Sequence, residues 1–167
     1  MGDSPTPAGG RGTIVELLLF GTSGGELTFR IRSAHLAEGE HPDRLAGFDS
    51  APPAGALVHS TSWRFDNGGV VLTYAALPDL LPASAGRLDR GAGIVASTDL
   101  LAPSPAVITP ANVAAHACRH LAVLRRTDPA VAAAAREVPG LWPLLDEYAY
   151  RTAVTSRIPA TSATVLS

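Results

Sequence analysis

Apolar positions divide the chain into a strand-forming first half and a helix-forming second half. Thr13 to Phe20 is a short apolar run, bounded by glycines and interrupted only by Glu16, and its brevity predicts a strand. Gly21 to Gly25 reads as a turn. Glu26 to Ser33 then alternates, with Leu27, Phe29 and Ile31 on one side and Thr28, Arg30 and Arg32 on the other. Period-two alternation marks a half-buried strand, so the two runs predict a hairpin. His35 to Ala56 reads as a long loop. Leu57 to Phe65 and Val70 to Leu77 form a second predicted hairpin about Asn67-Gly68, a pair suited to the positive φ angles of a type I′ turn. Regular pairing back from that turn places His59, Thr61, Trp63 and Phe65 with Leu72 and Tyr74 on one buried face. Ser60, Ser62, Arg64 and Thr73 then fall on the other.

The period changes after residue 108. Pro78 to Ile108 is rich in Pro, Ala, Gly and Ser and reads as an irregular crossover, with a short strand at Gly93 to Ser97. Thr109-Pro110 is an N-cap followed by a first-turn proline, and predicts a helix to about Arg126. Asp128-Pro129 repeats the signal for a helix to about Glu137, which Pro139-Gly140 stops. Leu141 to Tyr150 is a third helical stretch. Strands first and helices afterwards predict an α+β domain: an antiparallel sheet of about four to five strands packed against two to three C-terminal helices. Residues 1–11 read as a disordered leader, 12–150 as one domain and 151–167 as a flexible tail.

Composition changes this picture little, but it removes some function classes. A net charge of −2 argues against general nucleic-acid or anionic-membrane binding. All 13 basic residues are Arg, which codon bias towards G and C explains without an anion site. The single Cys118 excludes an intramolecular disulfide and a multi-cysteine zinc site. No apolar run has the roughly 20 residues of a membrane span, and the first residues lack a signal-peptide pattern, so the expected location is cytoplasmic. A charged fraction of only 17%, combined with many alanines, makes a homodimer one expectation.

Two histidine patterns carry candidate chemistry. His59-Ser60-Thr61-Ser62 resembles the His-x-Thr-x motif of the 2H phosphoesterases. The resemblance implies an acid/base role for His59, with Thr61 holding a phosphoryl oxygen, and covers one of the two motif copies that the family uses. His116 and His120 are spaced i, i+4 on the first predicted helix, so their rings can converge on a divalent metal. Helical geometry sets them about 95° and about 55° from the apolar stripe of Val113, Ala117, Leu121 and Leu124. A third ligand would come from Glu38, Glu40, His41 or Asp43. Arg30, Arg32 and Arg64, read as sharing a polar sheet face, and Trp63 and Tyr74 are candidate ligand contacts.

The leading expectation is a binding domain for a small molecule or protein partner, with a polar lining that includes His59, Thr61, Tyr74, His116 and His120. A small phosphoester hydrolase using His59, with or without a metal, is the alternative. A structural or assembly subunit is the third.

Overall fold

The protein is described by a computed structural model covering residues 12–45, 54–97, 99, 101–102, 104–105, 107–151 and 154–155. The expected leader at 1–11, and the tail from 156 onward, lie outside the described residues. The fold is α+β as the pattern predicts. Strands β1 (Thr13–Ser23) and β2 (Glu26–His35) form the first hairpin, and β3 (Leu57–Asp66) and β4 (Gly69–Leu77) the second. The short strand β5 (Gly86–Arg87) joins the edge of β2. The sheet order is β3-β4-β1-β2-β5, with β1 and β4 parallel and the other pairs antiparallel. Apart from a single turn α1 (Pro42–Leu45), the helices follow the sheet: α2 (Pro110–Thr127), α3 (Pro129–Glu137) and α4 (Trp142–Asp146).

The helix boundaries follow from local chemistry. Thr109 accepts from the Asn112 amide, and the Asn112 side chain reaches back to Thr109, which closes a capping box ahead of Pro110. Asp128 accepts from the amides of Ala130 and Val131 and so caps α3. The turn between β3 and β4 is the expected one, with φ of 46° at Asn67 and 79° at Gly68.

The helices cover the sheet face that carries Leu18, Phe20, Leu27, Phe29, Ile31, Ala75 and Leu77. Leu121, Trp142 and Leu145 have no exposed surface against it, and each such burial contributes about 1.5–3 kcal/mol. Cys118 is buried in the same layer, and that burial pushes its thiol pKa well up. The opposite face carries Val15, Leu17, Tyr74 and Ala76, partly covered by Leu36 and Leu45.

The crossover lacks long regular elements, yet its described residues are fastened. Leu88 and Ile94 plug the core. Tyr148 donates to the Asp89 carbonyl, Arg151 to that of Ala92 and Asn112 to that of Gly93. Val95–Ala96 forms the expected short strand, β6, in parallel with β7 (Val154–Thr155) from the tail region.

One expectation is overturned. Phe65 faces Val70 and Trp63 faces Leu72 as read from the turn, but the register slips between Ser60 and Ser62. Beyond this β-bulge His59 pairs with Ala75 instead of Ala76. The slip moves one half of β3 to the opposite face. His59 therefore lies on the helix side together with Ser62 and Arg64, while Trp63 and Phe65 face away from the helices. Both aromatics are open to solvent, at 56% and 54% exposure.

The two faces predict different costs. Leu121→Ala should lose about 2–5 kcal/mol of unfolding free energy. Trp63→Thr should stay within about 0.5 kcal/mol, as an exposed position does. Urea unfolding of both variants checks this.

A cleft between the edge strand and the long helix

The bulge gathers polar side chains on the helix side of β3. The ring of His59 stacks on that of His120, with centroids 5.3 Å apart and planes inclined by 25°. His116, one turn earlier on α2, is exposed and lines the cleft beside Ser62. Further along β3, Arg64 donates to both carboxylate oxygens of Glu16 at 3.0 and 2.8 Å, and to the Thr73 hydroxyl at 3.1 Å. Glu16 lies on β1 and Thr73 on β4, so one guanidinium ties three strands together. This bidentate pair is well covered, with side chains 15% and 10% exposed.

Above this floor runs a cleft in two parts. One, of about 390 Å³, lies between Ser62 and Arg64 of β3, the β6 segment, and Asn112 and His116 of α2. The other, of about 400 Å³, lies beside Glu16 and the first turn of α2. Arg64, Ser104, Pro105, Ile108 and Val113 line both. The Ser104 hydroxyl oxygen is buried there and has no hydrogen-bond partner among the described residues.

The candidate residues thus separate into two groups. His59, His116, His120 and Arg64 come together on the helix side. Tyr74, Arg30 and Arg32 lie on the opposite face, so Arg64 does not share a face with the other two arginines; the parallel pairing of β4 with β1 sets Val71 and Thr73 on the helix side, and Arg64 opposite Val71 goes with them. Tyr74 donates to Asp43 at 2.8 Å, and burial, with that bond, pushes its pKa up to about 12. Arg30 binds both oxygens of Asp79 at 2.7 and 2.8 Å, which holds that carboxyl below its ordinary value. The Thr61 hydroxyl is occupied, donating to the Thr73 carbonyl at 3.3 Å.

The acidic loop packs on the Tyr74 side, away from the helix histidines. Glu40 accepts from the Ala37 amide and His41 from that of Asp43. No group of three or more His, Cys, Asp or Glu side chains is placed to hold a metal among the described residues.

Asn112, Ser62 and Ser104 were not singled out by sequence. The only signal for the Arg64 site was Glu16, a lone charge in an apolar strand. No family model, curated protein or solved structure matches the chain.

Burial is the main reason that His116 and His120 titrate below the ordinary histidine value. The charge of Arg119 adds to the lowering at His116, and the charges of His59 and His116 to that at His120. The unfolded chain therefore binds more protons than the folded one between the lowered values and about 6.5. Stability should fall as pH drops below about 6.5, then level off once the folded histidines are also protonated. Urea midpoints at a series of pH values should show this slope, and His116→Gln/His120→Gln should flatten it.

Arg64→Ala leaves the covered Glu16 carboxylate unpaired and should cost about 3–5 kcal/mol. Glu16→Leu/Arg64→Met removes both charges and should recover most of the loss in the same measurement.

Proposed function

We propose that the chain is a binding domain that seats a small, uncharged or cationic molecule in the cleft between β3 and α2. The observation that carries the reading is the buried hydroxyl of Ser104, without a partner among the described residues, beside the Arg64–Glu16 pair in a cavity of ligand size. A buried polar atom without a partner costs free energy, and a ligand group that bonds to it removes the cost. Ile108, Val113 and Pro105 supply apolar contact around it.

The charge balance sets the ligand class. Arg64 is committed to Glu16, and Asp66 and Asp99 add negative charge to the lining. This disfavours a phosphoester, as does the occupied Thr61 hydroxyl, so the hydrolase reading ranks below binding. The exposed Trp63 and Phe65, which meet edge to face at 5.6 Å, favour a second reading as a contact for a protein partner or a second copy. We place the protein in the cytoplasm, where a lone thiol such as Cys118 stays reduced.

A thermal-shift screen of neutral compounds, amines and phosphate esters tests the main reading. A true ligand at about 100 times its Kd adds roughly 2.7 kcal/mol and raises Tm. Neutral compounds or amines should raise Tm in the wild type and lose the effect in Ser62→Trp, which fills the cleft. Equal shifts in both proteins, or shifts confined to phosphate esters, would overturn the assignment.

A further inference from the structure

We propose that His59, His116 and His120 form a pH-sensitive latch between the edge strand β3 and helix α2. The latch stands on the seam itself. Only its effect on ligand binding rests on the reading of the cleft as the binding site.

The geometry has three parts. His59 and His120 come from different elements and stack at 5.3 Å. The Nε2 atom of His120 is buried and has no hydrogen-bond partner among the described residues. His116, one turn earlier on α2, lines the same seam beside Ser62 of β3. In their neutral forms the rings pack as flat, mostly apolar bodies.

A proton on either stacked ring changes the contact. The groups that act on the cluster from α2 are the other histidine and Arg119, which is positive. From the sheet, β4 presents Ala75 opposite His59. Where residues 54–56 meet the end of α3, Gly55 lies against the stem of Glu137 and the side chain of Val138. None of the three rings has a carboxylate within ion-pair distance among the described residues; the one histidine ion pair there is His41 with Asp43. A second positive charge therefore meets like charge at a half-buried seam where the Nε2 atom of His120 is covered.

β3 is poorly placed to resist that force. It is an edge strand, paired on one side with β4 and free of other described strands on the other. The bulge at Ser60–Ser62 interrupts even that ladder, at the level of the histidines. Protonation is relieved by loosening α2 from β3, and these two elements are the walls of the cleft. Acidification then weakens binding by disordering the walls, with no titrating group on the ligand required.

Hydrogen exchange on the full chain, at pH 7.5 and 5.5 with labelling times corrected for intrinsic exchange, tests the latch without any ligand. Peptides covering Leu57 to Ser62 and His116 to Leu121 should lose protection by about tenfold at the lower pH, the effect of one linked proton across one pH unit. Peptides from β1 and β2 should not change. His59→Asn/His120→Gln should abolish the difference. Unchanged protection in the wild type, or the same loss in the double variant, would overturn the proposal. Should the double variant not fold, the wild type still decides through NMR titration of the imidazole ring protons. Titration of His59 and His120 together with β3 amide shifts supports the latch, and titration that leaves those amides unmoved refutes it. Loss of ligand binding in Ser62→Trp with an intact exchange response would separate the two readings.

Discussion

Between Ser60 and Ser62 the pairing of β3 with β4 slips by one residue, and the hydroxyl of Thr61 bonds to the Thr73 carbonyl at that point. Side chains on a regular strand alternate between faces, so residues 59 and 64 would ordinarily point in opposite directions. The extra residue brings both to the helix side. Without it the protein would have either the histidine stack or the guanidinium clamp against α2, and not both. Trp63 and Phe65, on the turn side of the slip, keep their regular pairing and point to the other face, open to solvent. His59 joins Ser62 and Arg64 on the helix side because of this one irregularity.

Around that point the chain handles interior charge consistently. Glu16 and Arg64 sit under the helices, and Arg30 and Asp79 on the other side of the sheet; in each case an arginine takes both oxygens of a carboxylate. A paired charge costs far less to cover than a lone one. Arg64, the arginine among the described lining of the cleft, is committed to Glu16. The histidines are the exception. They stack beside one another, and among the described residues no carboxylate lies within ion-pair distance of their rings.

The features readable in advance are those that local chemistry settles. Thr109-Pro110 and Asp128-Pro129 mark the helix starts because capping bonds reach only two or three residues. Asn67-Gly68 marks the second hairpin for a similar reason. The register held from that turn back to Trp63 but was not readable beyond Ser62, because Thr61 in a His-Ser-Thr-Ser run looks the same inside a bulge as outside one. The partner of Glu16 was hidden as well, since Arg64 lies 48 residues away and only the folded sheet brings them together. The approach of His59 to the helix histidines follows from the same register slip. Asn112, which both caps its helix and holds the crossover at Gly93, has a local half that can be read and a distant half that cannot.

The lone cysteine lies between the two helix histidines in sequence, but it behaves quite differently. Cys118 has no exposed surface, and burial disfavours its thiolate, the form that reacts. An alkylating reagent meets a thiol that is neither reachable nor ionised while α2 stays packed. With no second cysteine to compete, modification of the chain is confined to molecules whose helix layer has opened. The fold therefore carries a built-in chemical timer, silent at the surface and set running only by exposure of its own core.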